Sequence, residues 1–171
     1  MPTVNSFENY PIRIVLISNV VSLLIYSIGI FILFKLDWIV AAFYLTYVFI
    51  LEFRVIRYHC INCYYWGKTC GFAKGRISSL FFKKGNETKF CTKEMKWVDM
   101  IPDLLVFLIP FVSAIILLFL QFQIILLVAL LLLTVLSTSI TGFVRGNLTC
   151  KHCKQREIGC PAEQLFNKKN Q

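Results

Sequence analysis

Four long stretches of the chain are built almost entirely of apolar residues, and polar segments precede, separate and follow them. A helix needs about 20 such residues to cross the hydrocarbon core of a bilayer, because each residue adds about 1.5 Å. Only helices suit these stretches, since lipid offers the backbone no hydrogen-bond partner outside the segment itself. The pattern therefore predicts an all-α integral membrane protein with four transmembrane helices, over residues 14–34, 36–53, 100–120 and 124–143.

The polar breaks between the apolar stretches predict how the helices are paired. Only a few residues separate the first stretch from the second and the third from the fourth, which leaves room only for tight antiparallel turns. Two such hairpins place the N-terminus, the long polar loop and the tail on one side of the membrane. The predicted divisions are a transmembrane hairpin over 1–55, a loop over 56–98, a second hairpin over 99–143 and a tail over 144–171.

The distribution of charge predicts which side of the membrane the loop and tail occupy. The chain contains 18 Lys and Arg against 9 Asp and Glu, and among the basic residues only Lys35 falls in a short turn between paired helices. Basic residues that flank transmembrane helices concentrate on the cytoplasmic side. We therefore expect a multi-pass protein of the cell membrane with both termini in the cytoplasm. This topology accounts for the basic composition, so nucleic-acid binding is not favoured.

The loop and the tail each contain three cysteines in the spacing C-x2-C-x6-C. Each group follows the second helix of a predicted hairpin after a short basic exit. The chain is therefore predicted to contain two tandem copies of one unit, and an even number of spans in each copy makes this a parallel internal repeat. The first module contains Cys60, Cys63 and Cys70, and the second contains Cys150, Cys153 and Cys160.

The cysteine spacing predicts a metal site formed by the two modules. The cytoplasm is reducing, so cysteines there serve as metal ligands or transient redox groups more often than as structural disulfides. Two cysteines separated by two residues can bind one ion from a tight turn, and a second pair completes a tetrahedral zinc site. The four thiolates would come from Cys60 and Cys63 in one module and from Cys150 and Cys153 in the other.

The other potential ligands leave several arrangements open. Cys70 and Cys160 either join the same site, form a second one, or pair with a remaining Cys or His. Cys91 stands alone in the sequence and is interpreted as an inert thiol, while His59 and His152 are interpreted as bystanders within the modules. An iron–sulfur cluster is the alternative to zinc, since a proline follows Cys160 as it follows the last cysteine of bacterial ferredoxin runs. Neither module, however, has the ferredoxin spacing.

Two further segments give predictions of their own. Residues 78–85 are amphipathic, with Phe81 and Phe82 followed by Lys83 and Lys84, which indicates a segment lying on the inner leaflet; a hairpin turn at residues 84–86 is the alternative. The Thr and Ser residues of the fourth span are expected to hydrogen-bond between helices.

These observations favour a membrane-anchored binding or scaffold component whose cytoplasmic cysteines hold a metal, with the bilayer and a cytoplasmic or membrane protein as partners. An electron-transfer or thiol–disulfide redox protein is the first alternative, and a metal-ion transporter or sensor is the second. An enzymatic role is not favoured, because no nucleophile–base pair, phosphate-binding loop or pair of catalytic carboxylates can be identified.

Overall fold

The structure is a computed structural model that describes residues 6–86, 90–91 and 97–160. Parts of the predicted loop, 87–89 and 92–96, and the end of the predicted tail, 161–171 with Pro161, lie outside these residues. The described chain is helical and contains no β-strand.

Four long helices account for most of the described chain. All four are apolar and long enough to cross a membrane, which confirms the four helices predicted from the sequence and indicates a multi-pass membrane protein. In chain order the helices are α1 (Ile12–Leu36), α2 (Trp38–Tyr58), the short α3 (Lys74–Phe81), α4 (Trp97–Leu120), α5 (Ile124–Val135), which begins the fourth long helix, and the short α6 (Lys154–Ile158).

The ends of the helices reach beyond the apolar stretches. Helix α2 continues to Tyr58, five residues past the predicted end of the span. Arg54 and Arg57 extend it, because arginine is a good helix former whose long stem lets the charge reach water. A single residue, Asp37, separates α1 from α2, and its carboxylate accepts a hydrogen bond from the N–H of Ile39 at 2.6 Å. This bond caps the start of α2.

The fourth long helix departs from regular α-geometry in its second half. Two π-helical segments, Leu136–Ile140 and Val144–Thr149, follow α5, with one α-helical turn between them. The Thr138 hydroxyl donates to the carbonyl four residues earlier at 2.7 Å, and the Thr141 hydroxyl donates to the carbonyl five residues earlier at 2.8 Å. These hydroxyls bond within their own helix, which differs from the expected bonds between helices.

The chain divides into two compact units. The polar unit combines Met1–Ser18, Phe53–Asp99 and Val144–Gln171, and the apolar unit combines Asn19–Glu52 and Met100–Phe143. The polar unit therefore brings the N-terminal segment, the loop and the tail into one body, although long stretches of sequence separate them.

The apolar unit is held together by two clusters of buried side chains. In one cluster, Leu33 of α1 packs against Ala41, Tyr44 and Val48 of α2. In the other, residues of α1, α4 and the fourth long helix interlock; its most buried members are Ile32, Ala114, Leu126 and Leu133.

A proline in α4 determines one polar contact inside the apolar unit. Pro110 has no backbone N–H, so the carbonyl of Val106, four residues earlier, loses its partner within the helix. The Tyr44 hydroxyl donates to this carbonyl at 2.8 Å. Gly29 leaves the space for the tyrosine, because a Cβ there would lie 2.7 Å from the Tyr44 hydroxyl oxygen. Residues of α1, α2 and α4 thus combine to satisfy one backbone group.

Candidate functional site

The polar unit is built around a small core in which cysteines pack against aromatic rings. Tyr10, Val15 and Tyr65 are its buried members. The partly buried side chains packed on them include Cys63, Cys70 and Cys153, which come from both predicted modules. The core therefore brings residues of the loop and the tail together.

The first C-x2-C pair forms a tight turn at the end of α2. Residues Cys60–Asn62 adopt a single 3₁₀ turn, and the N–H of Cys63 donates to the carbonyl of Cys60 at 3.3 Å. The N–H of Trp66 then donates to the carbonyl of Cys63 at 3.0 Å. The sulfur of Cys63 accepts the backbone N–H of Tyr65, two residues further along the chain. We call residues 60–66 the first knuckle.

The second C-x2-C pair has the same local hydrogen bonds. Residues Cys150–His152 form a 3₁₀ turn, the N–H of Cys153 donates to the carbonyl of Cys150 at 3.3 Å, and the N–H of Arg156 donates to the carbonyl of Cys153 at 3.0 Å. The sulfur of Cys153 accepts the N–H groups of Gln155 and Arg156. We call residues 150–156 the second knuckle.

The cysteine that ends each turn has extended backbone angles in both knuckles, with nearly equal φ and different ψ. Cys63 has φ −84° and ψ 149°, and Cys153 has φ −83° and ψ 118°. The segments that lead into the knuckles differ, since α2 is a regular α-helix and the fourth long helix arrives through the π-segment Val144–Thr149.

Direct hydrogen bonds join the two knuckles. The N–H of Tyr64 donates to Oε1 of the buried Gln155 at 2.8 Å, and the N–H of Lys154 donates to the Tyr65 hydroxyl at 3.0 Å. The backbone of each knuckle is thus bonded to a side chain of the other, which fixes their mutual position within the polar unit.

The segment before α1 lies against both knuckles. The N–H of Phe7 donates to the carbonyl of His152 at 3.0 Å, and its own carbonyl accepts the Tyr65 hydroxyl at 2.6 Å. The Tyr10 hydroxyl donates to the carbonyl of Thr149 at 2.6 Å. This N-terminal segment therefore acts as a strap across the first and second knuckles.

One carboxylate of this segment binds charged groups of both knuckle regions. Glu8 forms ion pairs with Lys68, at 3.4 Å, and with Lys154, and it accepts the Tyr64 hydroxyl at 3.0 Å. The bonds from Lys154 and Tyr64 lower the pKa of Glu8 to about 2. The ammonium of Lys68 also lies 4.0 Å from the centre of the Tyr64 ring, within cation–π range.

The thiols of Cys63 and Cys153 lie in an environment that favours the neutral form. Burial raises the pKa of Cys63 to about 12, although the N–H of Tyr65 partly offsets it. Burial also raises the pKa of Cys153, against the opposing effect of the N–H groups that its sulfur accepts. The neighbouring Cys153 also raises the pKa of Cys63, and Cys150 also raises the pKa of Cys153. At neutral pH such thiols lose their protons only when a cation stabilises the thiolates.

The cysteines outside the two C-x2-C pairs take separate positions. The sulfur of Cys70 accepts the N–H of Gly75 at 3.4 Å, so it lies at the start of α3. Cys91, which the sequence predicts to be an inert thiol, lies beside the second module: its sulfur accepts the Gln155 side-chain amide at 3.5 Å and would be 3.4 Å from a Cβ on Gly159. No sequence pattern indicated this, because Cys91 belongs to neither repeat of the spacing.

The histidine rings pack against phenylalanines. The ring of His152 lies 4.9 Å from that of Phe7, and the ring of His59 lies 6.4 Å from that of Phe90. Neither packing contact assigns the histidines to a metal.

All seven cysteines are free thiols. Over residues 6–86, 90–91 and 97–160, no three or more Cys, His, Asp and Glu side chains form a group ready to hold an ion. The structure thus brings the first and second knuckles together, and the part of the chain that it describes contains no preformed metal cage. No protein-family model, curated protein or solved structure matches the chain.

Proposed function

We propose that this protein is a membrane-anchored binding or scaffold component whose two knuckles hold one metal ion, with zinc favoured. The observation that carries the proposal is the matching geometry of the knuckles, which share the same 3₁₀ turn and the same N–H bond to the carbonyl of the final cysteine. The sulfur of that cysteine accepts one N–H in the first knuckle and two in the second. Backbone N–H groups aimed at a sulfur stabilise a thiolate and orient it as a ligand.

The donor set fits a zinc ion in its chemistry. Cys60, Cys63, Cys150 and Cys153 would supply four thiolates, the usual set of a closed structural site. Cys60, Cys63 and Cys153 are partly buried, whereas Cys150 is exposed. The N–H donors at Cys63 and Cys153 suit such a site, and the bonds between the knuckles hold the two pairs near each other. Because no ready-made cage exists in the described part of the chain, we propose that binding of the ion closes the four side chains around it. Cys70 and Cys160 remain candidates for the same site or a second one.

The same knuckles support an internal repeat. In this proposal each hairpin of two spans ends in one knuckle, and both knuckles face the cytoplasm in a protein of the cell membrane. The loop, the tail and the N-terminal strap together form a surface that binds a cytoplasmic or membrane protein partner. A redox role has less support, since a reactive cysteine needs a lowered pKa and burial raises the pKa of Cys63 and Cys153.

Metal analysis of single and double variants tests the shared site. If the knuckles share one ion, Cys60→Ser and Cys150→Ser should each remove the same equivalent of metal from anaerobically purified protein, because three thiolates bind zinc far more weakly than four. The double variant should lose no more than either single variant, since members of one network are non-additive. Cys91→Ser, outside both knuckles, is the control and should retain the metal.

Other results distinguish the alternatives. Two independent sites would lose half of the metal in each single variant and all of it in the double variant. Visible absorbance from a brown sample would assign an iron–sulfur cluster in place of zinc. Wild-type protein without stoichiometric metal after anaerobic preparation would reject the metal site and leave a dithiol role.

A further inference from the structure

Helix α3 of the polar unit turns its large apolar residues outward. Ile77, Leu80 and Phe81 are three and four residues apart, so they share one face of the helix. Leu80 is 77% exposed and Phe81 is 74% exposed. A helix in a water-soluble body normally buries this face, and an exposed apolar face usually marks a surface that meets a membrane or a partner.

Small residues on the opposite face hold α3 in this orientation. Gly75 is buried, and a Cβ at this position would overlap the carbonyl oxygen of Tyr65 in the first knuckle. Ser78 is fully buried, and its hydroxyl donates to the carbonyl of Ile56 in α2 at 3.4 Å. Rotation of the helix to bury Leu80 would place a large side chain where only Gly and Ser fit, so the outward face is a fixed feature of the polar unit.

Basic residues accompany the outward apolar face. Arg76, Lys83 and Lys84 are exposed, and residues 74–86 contain no Asp or Glu. The ring of Phe82, just after α3, lies 5.8 Å from that of Phe53, a residue of the candidate span formed by α2. The segment therefore combines exposed apolar side chains, several exposed basic residues and a direct contact between Phe82 and a candidate membrane-spanning helix.

We propose that α3 is an interfacial helix that docks on anionic lipid headgroups of the membrane that the long helices span. Leu80 and Phe81 enter the boundary between headgroups and acyl chains, while Lys83 and Lys84 bind lipid phosphates and carboxylates. Amphipathic helices of this composition bind by apolar burial together with attraction to anionic lipids. The sequence indicated a lipid-facing segment over 78–85, and the structure assigns the role to Lys74–Phe81 with the basic residues that follow.

Photo-crosslinking in lipid nanodiscs tests this docking. The full chain, with Phe81 replaced by benzoylphenylalanine, is placed in nanodiscs of phosphatidylcholine alone or of phosphatidylcholine with phosphatidylserine, irradiated and analysed by mass spectrometry. Lipid adducts are expected at position 81, with a higher yield when phosphatidylserine is present. The same replacement at Glu157, an exposed acidic residue of α6, is the control and should give no such adduct.

A charge variant separates electrostatic from apolar docking. Adding Lys83→Gln and Lys84→Gln to the position-81 protein should lower the phosphatidylserine-dependent yield by about fivefold per lysine. Equal yields in the two kinds of nanodisc would overturn the preference for anionic lipid. Absence of lipid adducts at position 81, yields equal to those at position 157, or adducts to a second copy of the chain would overturn the docking itself.

Discussion

At the scale of single residues, tyrosine hydroxyls make many of the polar contacts between distant parts of the chain. Each donates to an oxygen far away in sequence, either a carboxylate or a backbone carbonyl, and so joins two segments that the sequence separates. The sequence shows that these tyrosines are present but does not indicate which oxygens accept their hydroxyls, because these hydrogen bonds depend on which helices pack together. The residues concerned are Tyr10, Tyr26, Tyr44, Tyr47 and Tyr65.

The bond from Tyr44 gives a prediction about stability. In Tyr44→Phe, the carbonyl of Val106 has neither its hydroxyl partner nor a helical N–H, since Pro110 supplies none. We expect the free energy of unfolding to fall by about 1–2 kcal/mol, the cost of an unsatisfied buried carbonyl. Thermal unfolding in detergent, followed by circular dichroism, measures the change.

A neighbouring tyrosine supplies the matched control for that variant. Tyr47 donates to the carbonyl of Pro102 at 2.9 Å, but in a regular helix this carbonyl also receives the N–H of the residue four positions later. Tyr47→Phe should therefore cost less than Tyr44→Phe. If both variants lose the same free energy of unfolding, the Tyr44 hydroxyl does not replace the N–H that Pro110 lacks.

Glu8 gives a prediction about pH. The pKa of Glu8 is lowered from its ordinary value of 4.5 to about 2 by Lys154, Tyr64 and Lys68. A lowered folded-state pKa means that the contribution of Glu8 to stability is complete above pH 4.5 and is lost as the pH falls through about 2. Carboxyl-carbon NMR should show Glu8 ionised at pH 4.

Removal of the main partner should reverse this shift. In Lys154→Ala, the pKa of Glu8 should move back toward 4.5, because the first cause of the shift is gone. An unchanged titration midpoint in this variant would show that the ion pair across the second knuckle does not form in solution.

At the scale of elements, the sequence was most informative where a repeated pattern has a local cause. The two C-x2-C pairs were visible as matching spacings, and each adopts the same short turn because the hydrogen bonds of that turn join neighbouring residues. The N-terminal strap was not predictable, since its bonds join Phe7 and Tyr10 to residues more than 50 positions away. The π-segment Val144–Thr149 also had no signal that periodicity could reveal.

The packing of α3 against the first knuckle gives a prediction at this scale. Gly75→Ala should loosen α3, because the new Cβ meets a backbone carbonyl that cannot move aside as a side chain can. We expect a loss of about 1–3 kcal/mol, typical of overpacking. Limited trypsin digestion should then cleave faster at Arg76, an exposed residue of α3.

The control for this digestion is a glycine of the same unit in open space. A Cβ on Gly146 would have no neighbour within 4 Å, so Gly146→Ala should leave cleavage at Arg76 unchanged. Equal protection of the wild-type and Gly75→Ala proteins would show that α3 does not depend on this close approach.

At the scale of the whole molecule, hydrophobic length was sufficient to predict four helices, because lipid leaves the backbone no other solution. The sequence also suggested that N-terminus, loop and tail share one side, and these segments form a single compact unit. Contacts within that unit were beyond the sequence: the bond between Tyr64 and Gln155 joins residues 91 positions apart. Such pairings depend on the arrangement of the helices, which hydropathy does not record.

The unit formed by the N-terminus, the loop and the tail predicts on which side of the membrane the cysteines lie. Because N-terminus, loop and tail form one unit, all seven native thiols should face the same side, and the excess of Lys and Arg there predicts the cytoplasm. A membrane-impermeant maleimide added to intact cells should therefore miss the native cysteines but label Asp37→Cys and Gln123→Cys, which lie in the turns at the other ends of the long helices. Permeabilised cells control for thiol reactivity. Labelling of native thiols in intact, reduced cells would show that the topology is the opposite of the predicted one. The cysteines would then lie outside the reducing cytoplasm on which the metal site depends.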